Sequence, residues 1–557
     1  MKRLGTACLL LLMVGGLALA TGTAETAAAE EGQQYPEMVD PFGRYETPIT
    51  VTIAKETNAA IDHPEGWSYS ENVWYDAIED ELGITLVNKF EAEGGDDYNT
   101  RMNLAIASND LPDILTLPQY NMYSRLLNAG KLTNMTEEYE KFAYPKFKEF
   151  YESDGGVMKS WGTVEGQIFG FARGGLSYQS PRIVYIRQDW REELGLEPPE
   201  TMDDVIEIAE AFKAEDPDNR YGILLNNEIS TSGFADMTGI ANSMGVYPRK
   251  WVLDDEGEIT YGSVQPGMKD VIALYRDFYE QGLVHPEFAT IDGSATAPHL
   301  LNSQVGVAVA APWVITWPLP QLWQTDGVNW EVYPILPMDG YGDEALVQLD
   351  NVERQMYAVR DGFEFPEAFV KIMNLQIAKL NDPERAQTEI YHSDDDYTYH
   401  QYRPFYSAYA PTFLNLDTQV NVTAAIDNGF DESYLETPHD RNQYPPVAEY
   451  FETMDAGEKP TNTQWVRYNM WYGDRSVFGV LNHYRFNDLY MISPAEGVVT
   501  SEMSRLIGAL RQVEDEYIIQ IITGNRPLDD FDDFVERWHE LGGREILEEL
   551  NAWYEGR

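Results

Sequence analysis

The chain has 557 residues, 43% apolar and 13% aromatic, enough for a large core and, by length, roughly two to four domain-sized units. Lys+Arg 39 against Asp+Glu 93 leaves a net charge of −54, a field that repels a phosphate backbone and excludes a nucleic-acid partner. The 14 Lys to 25 Arg mark depletion of the flexible ammonium, read here as adaptation to high salt, where the Debye length falls to roughly 3 Å; an ordinary acidic surface is the alternative.

In chain order, Lys2-Arg3, an apolar run from Leu4 to Ala20 and polar Thr21-Gly22-Thr23 predict a secretory signal peptide over 1–20. A membrane anchor is the weaker reading, because the basic start is short and a polar tract follows the run. Cys8, the only cysteine, lies inside this segment near its start, so it is not the lipid-attachment cysteine of a lipoprotein. The mature chain is expected to begin at Thr21, unlipidated and without a thiol, in the periplasm. Residues 21–40 are small and acidic and read as a flexible spacer.

Ile49 to Ile53 alternates with period two and predicts a strand. Glu71 to Leu82 predicts an amphipathic helix closed by Gly83, and Ile84 to Val87 a second strand. Further helices are expected over Tyr98 to Ser108, Thr201 to Glu215, Pro266 to Gln281, Pro366 to Leu380, Ser501 to Gly524 and Asp529 to Tyr554. Strands fit Asp113 to Thr116, Arg182 to Ile186, Tyr221 to Leu225, Val305 to Ala310 and Gln355 to Val359. The alternation predicts an α/β architecture.

Catalytic signatures are absent from the pattern. None of the eight His stand at i, i+3 or i, i+4, there is no G-x-S-x-G elbow or P-loop, and among 93 acids chance carboxylate pairs carry no signal. No cofactor is expected.

Ala105-Ile106-Ala107-Ser108-Asn109-Asp110-Leu111-Pro112-Asp113-Ile114 resembles the A-S-G-D-L-P-D-I signature of extracellular solute-binding proteins of sugar-type ABC importers, with Asn109 in place of Gly. Gly166 to Gly170, Tyr185 to Trp190 (compare I-R-x-D-W), Leu194 to Thr201 (L-G-L-x-x-P-x-T) and Tyr279 to Phe288 continue the series in the family's order. Pro366-Glu367-Ala368, Ile522-Thr523-Gly524 and the Asp532-Phe534-Val535 helix extend it to about 45–555. The resemblance, with a length that places the chain beside the larger LplA-like and alginate-binding-like members, implies a two-lobed periplasmic-binding-protein fold (type II) with discontinuous lobes joined by a hinge. It further implies a monomer that captures an oligosaccharide between the lobes and delivers it to ABC permease subunits. A peptide or polyamine ligand on the same fold, or a secreted carbohydrate-active enzyme, are the alternatives.

On this resemblance the N-terminal lobe is expected over 41–173 plus 359–470 and the C-terminal lobe over 187–345 plus 471–557. Crossings are expected at 174–186 and 346–358, with Gly174 and Gly175 as the hinge pair. Relatives carry a calcium loop where this chain has Asp216-Pro217-Asp218-Asn219-Arg220-Tyr221-Gly222; it offers too few oxygens, so no metal is expected. Sugar faces call for flat aromatics with polar atoms at their edges. The candidate ligand contacts are Trp67 in a Gly-Trp-Ser loop, Trp313 and Trp317 after a buried-looking strand, and Trp465, Arg467, Tyr468 and Trp471 in one seven-residue stretch.

Overall fold

A computed structural model of the protein describes residues 39–58, 63–173, 176–230, 234–351, 355–382, 384–391, 399–405, 410–496, 498 and 500–556. The expected signal segment, Cys8, most of the spacer and the pair Gly174-Gly175 lie outside the described residues.

The expected opening is present and extended. Ile49–Thr57 pairs in parallel with Ile84–Glu93 and Ile114–Leu117, and the helix Val73–Leu82 connects the first two. The Asn72 side chain accepts from the Trp74 and Tyr75 amides, and Gly83, at φ 69, ends the helix in the left-handed region where a Cβ is costly. Asn109 ends the next helix in the same conformation, at φ 53, a place that Asn tolerates almost as glycine does. Met356–Val359 and Phe171–Ala172 complete a five-stranded sheet by antiparallel pairing. Asp113 ties it together: it accepts from the Thr52 amide and hydroxyl at 2.8 and 2.6 Å and pairs with Arg360 at 2.6 Å. A second sheet has four strands in the order Trp330–Tyr333, Ile183–Arg187, Val305–Ala310, Tyr221–Leu224.

Two hydrophobic cores correspond to two lobes. The first draws on residues 49–172 and 356–405, the second on 183–347 and 416–550. The expected boundary after 380 therefore moves. The helices Leu414–Asp427, Pro438–Asp455 and Asn462–Trp471 place Leu416, Val447 and Trp465 in the second core, so the stretch to 470 does not stay with the N-terminal lobe. Burial drives the difference, because the buried apolar residues of these helices join the second core. The crossings also shorten, since Ile183–Arg187 and Met356–Val359 are sheet strands inside the lobes. What joins the lobes is a short antiparallel pair, Leu176–Ser177 with Asp350–Asn351, beside a third passage between 405 and 414. Gln179 fastens that passage, donating to the Thr412 carbonyl at 3.2 Å and accepting from Asn415 at 2.6 Å.

The last expected helix is two, Asp530–Trp538 and Arg544–Glu555, separated by a turn with Gly542 at φ 121. A Cβ on Gly542 would meet Leu506 Cδ1 at 2.3 Å, so the break lets the turn lie directly on the Ser501–Ile522 helix.

Candidate ligand-binding cleft

Strand register decides which edges of the lobes face each other. Met356, just past the second crossing, pairs with Leu117 at the carboxyl end of its strand and with Ala172, just before the first crossing. In the other lobe, Ala310 at the carboxyl end of its strand pairs with Ile183, the first strand residue after that crossing. Both sheets thus present strand carboxyl ends to the crossings, and loops that leave those ends line the space between the lobes.

On the first lobe this edge holds a depression of about 460 Å³, bordered by Lys55, Tyr69, Thr116, Arg173 and Tyr357. The pairing beneath it shifts register between Ile53 and Ala54, because Lys89 on the partner strand Ile84–Glu93 is an extra residue with none opposite it, while Ile49–Thr57 runs on through Lys55. Lys55 is 6% exposed; its Nζ donates to the Arg403 carbonyl at 2.6 Å and lies 5.8 Å from the Tyr69 ring centroid. Burial lowers its ammonium pKa to about 7, against the upward pull of Glu56 and Glu91 and with the downward push of Arg403 and Arg173. Arg173 is fixed from its backbone amide to the Gln355 carbonyl at 2.8 Å and from Nη1 to Gln355 Oε1 at 3.0 Å.

On the second lobe, Trp313 and Trp317 leave the carboxyl end of Val305–Ala310 through the turn Pro312–Ile315. Their rings lie 6.5 Å apart at 21°, each is 41% exposed, and Phe234 supports both from 5.0 and 5.8 Å. Two near-parallel indoles open to solvent form a platform for a flat, C–H-rich surface.

The other expected contacts are placed differently. Trp67 is half-buried and meets Tyr402 edge-on at 5.2 Å; Tyr402 also packs on Tyr69, so Trp67 borders the first-lobe depression at one remove. Trp465 is fully buried, stacks on Trp323 at 5.8 Å and donates from Nε1 to Asn329 at 2.9 Å. Trp471, 2% exposed, stacks on Phe478 at 4.3 Å. Neither offers a ring face to a ligand, which corrects the sequence expectation: helical spacing over 465–471 turns these indoles into the second core. Tyr468 stacks on Tyr450 at 4.0 Å. Arg467 is half-buried and has no carboxylate partner among the described residues, and burial holds its pKa below the ordinary value. Its helix packs against the Pro312–Ile315 turn that carries Trp313.

Lys55, Arg173 and Tyr357 escaped the sequence reading. A signal for Lys55 was present: Ile49, Val51 and Ile53 point inward, and Lys55 continues that register as a cation in a buried row. Arg173 and Tyr357 are distant in sequence and meet only through the pairing of the two crossings.

Two lobes with separate cores, joined by short crossings and presenting strand ends to one another, define a two-lobed fold with a cleft between its halves. A family model described as "Bacterial extracellular solute-binding protein" matches residues 69–360, just over half of the chain, and the chain belongs to that family. It is 20% identical over 466 residues to the lipoprotein LipO of Bacillus subtilis (strain 168), spanning 82% of this chain and 84% of that one. It is 22% identical over 483 residues to the polygalacturonan/rhamnogalacturonan-binding protein YtcQ of the same organism, spanning 81% and 82%. Among solved structures, the ABC-transporter substrate-binding protein FusA of S. pneumoniae in complex with kestose shares the fold, with TM-score 0.59, 16% identity and coverage of 91% and 99%. These relatives are named as binding proteins or lipoproteins.

Proposed function

We propose that this chain is the substrate-capture component of an ABC importer, that it binds an oligosaccharide between its lobes without chemically changing it, and that it hands the sugar to membrane permease subunits. The observation that carries this reading is the Trp313–Trp317 platform, two exposed, near-parallel rings at the edge where the second lobe meets the crossings. A sugar ring offers a C–H face to such a surface and hydroxyls to the polar depression on the first lobe. YtcQ, by its name, and FusA, by its kestose complex, bind sugars, which supports the reading.

The location proposed is the periplasm, with residues 1–20 removed, no lipid attached and the protein acting as a monomer; the Lys2-Arg3 pair and the apolar run to Ala20 support the cleaved signal. Intact mass of the exported protein checks it: a chain starting at Thr21 is expected, and an acylated or uncleaved terminus overturns it. For function, isothermal titration against a panel of neutral and acidic oligosaccharides, with chromatography of the ligand afterwards, is the test. Saturable one-to-one binding with ligand recovered intact is expected. Cleaved ligand, or binding only to peptides or polyamines, overturns the reading.

A further inference from the structure

Three passages join the lobes, and side chains tie all three to one another. Tyr178, on the first crossing, packs its ring on Phe413 of the third passage at 4.8 Å and edge-on to Tyr490 at 5.0 Å. Tyr490 pairs in turn with Val347, where the chain enters the second crossing. Next to Tyr178, Gln179 stands in a hydrogen-bonded chain with a single direction. His439 Nε2 donates to Asn415 Oδ1 at 3.0 Å, Asn415 Nδ2 to Gln179 Oε1 at 2.6 Å, and Gln179 Nε2 to the Thr412 carbonyl at 3.2 Å. Reversing either amide would set two donors or two acceptors against each other, so the chain runs only this way round.

Further bonds fasten this junction to the second lobe. The Gln348 amide donates to Asn242 Oδ1 at 2.9 Å, its Oε1 accepts from Asn242 Nδ2 at 3.1 Å, and Lys250 Nζ donates to the Leu349 carbonyl. Arg182, paired with Asp236, donates to the Ser180 carbonyl at 2.9 Å, and His439 meets Trp471 of the second core edge-on. The first lobe reaches the junction at Ser153, two residues beyond the helix Pro145–Tyr151. Ser153 Oγ accepts from the Thr412 amide at 2.9 Å, lies 2.8 Å from Thr412 Oγ1 and donates to the Phe150 carbonyl at 2.7 Å. With its own proton given to Phe150, Ser153 accepts from the Thr412 hydroxyl as well. The helices Glu367–Asn381 and Pro438–Asp455 also meet across the lobes.

We propose that the three passages form one block that travels with the second lobe, and that the Ser153–Thr412 pair is a latch between this block and the first lobe that holds the cleft open. Trp313 and Trp317 are 41% exposed with the latch made, so it belongs to the uncovered cleft. Rotation of the block against the first lobe moves Thr412 relative to Ser153, and hydrogen bonds weaken steeply once distance and angle depart from their optimum. The latch therefore biases the empty protein toward the open form, and a ligand has to offset that bias when it draws the lobes together. Neither latch residue borders the first-lobe depression or belongs to the tryptophan platform, so the pair acts on affinity through the populations alone.

This inference concerns the empty protein, and its test needs no sugar, so it stands or falls apart from the oligosaccharide reading. Residues 21–557 contain no cysteine, which lets Thr100→Cys and Gln321→Cys carry a pair of dyes. Thr100 is exposed on the helix Asp96–Ser108 that follows the strand Ile84–Glu93, and Gln321 on the helix Leu319–Asp326 that follows the platform, so each marks one rim of the cleft. Single-molecule energy transfer on the exported protein without sugar is expected to show a minor high-transfer population. Ser153→Ala should enlarge that population about three- to tenfold, the range that one net hydrogen bond supplies. Thr412→Val keeps the amide bond and removes only the hydroxyl, so it should move the population the same way by less, and adding it to Ser153→Ala should change nothing further. Gln179→Leu, which frees Thr412 from the first crossing, should also enlarge the population. One distribution shared by parent and variants, or a smaller high-transfer population in Ser153→Ala, overturns the latch.

Discussion

Trp313 and Trp317 keep 41% of their surface open, whereas Trp465 and Trp471 keep 0% and 2%, and that contrast separates two outcomes of the same substitution. Replacing Trp313 or Trp317 by Ala is expected to cost about 2 kcal/mol of binding, roughly thirty-fold, with little change in Tm, because each exposed ring does its work only when a ligand covers it. Trp465→Ala should instead remove about 3–5 kcal/mol of stability, since it opens a cavity beside Trp323 and strands Asn329. Melting curves and titration calorimetry on the three variants check the pattern; a Trp313 variant with lowered Tm and intact affinity would place that ring in the core. A buried ion pair gives a second case. Asp236 is encased, which alone would raise its pKa, but the Arg182 charge, with Nη2 at 2.5 Å, and bonds from Thr238 outweigh burial and hold it below the ordinary 3.8. A depressed carboxylate stabilises fully above pH 3.8 and loses that contribution as pH falls below it. Arg182→Met removes the guanidinium that offsets the buried carboxylate's charge and should cost about 3–5 kcal/mol at pH 7. Protonation relieves a carboxylate without that offset, so the gap between variant and parent should narrow in urea melts near pH 4; an unchanged gap would mean that packing, not charge, sets it. Aromatic clusters are legible in sequence, but which rings stay open depends on neighbours such as Phe234 that arrive from elsewhere in the chain, and no local pattern contains that information.

Elements whose signals are local match the sequence expectation closely. Thr201 with Asp204 forms the capping box that opens Met202–Glu215, and Asn72 and Gly83 bracket Val73–Leu82 as their residue types dictate. Helices over Leu414–Phe486 were not foreseen. Pro445 and Pro446 stand inside one of them, and its apolar positions are too few for the period to show, so cover by the second core, and not amphipathicity, makes it a helix. The loop after Met202–Glu215, expected to hold no metal, is closed by side chains of its own. Lys213 Nζ donates to the Pro217 and Arg220 carbonyls at 3.0 and 3.1 Å, Asn219 donates to Asp216, and the Arg220 guanidinium lies 3.6 Å from the Trp190 ring. An ammonium bridging two carbonyls does here what a bound cation does in a calcium loop. Chelator is therefore expected to leave the Tm unchanged, while Lys213→Met should cost about 1 kcal/mol by freeing the loop. A fall of several degrees with chelator alone, read by calorimetry, would reveal a metal site and overturn this account.

At the scale of the whole molecule, neither lobe is one continuous segment, because the chain passes between cores near 173–183, 347–356 and 405–414. Each lobe alone carries half of the cleft: the polar depression belongs to the first and the tryptophan platform to the second. A ligand that touches both gains contacts only when they approach, so it favours a closed form by its differential affinity; a preference of about a thousand-fold, near 4 kcal/mol, carries a mostly open population to mostly closed. The joint suits that motion. Among the described residues it holds a two-residue ladder, Leu176–Ser177 against Asp350–Asn351, short enough for rotation at its ends to swing a lobe without breaking either core. Gly174 and Gly175, beside that ladder in sequence, are the proposed pivot; they would accept wide backbone rotation. Closure brings together two surfaces of a chain with net charge −54, and the repulsion between them must be screened or countered by the ligand's contacts. Solution scattering is therefore best recorded in about 1 M salt, where the Debye length is roughly 3 Å. The radius of gyration should be about 24 Å for a compact mature chain and somewhat larger with the cleft open, and saturating ligand should shrink it. Replacing Gly174 and Gly175 by Pro should blunt the contraction while leaving the Tm of the unliganded protein nearly unchanged. An identical profile with and without ligand, under conditions where calorimetry shows full occupancy, would mean a rigid, preformed cleft, and the signal for the permease would then have to be the ligand itself rather than the closed shape.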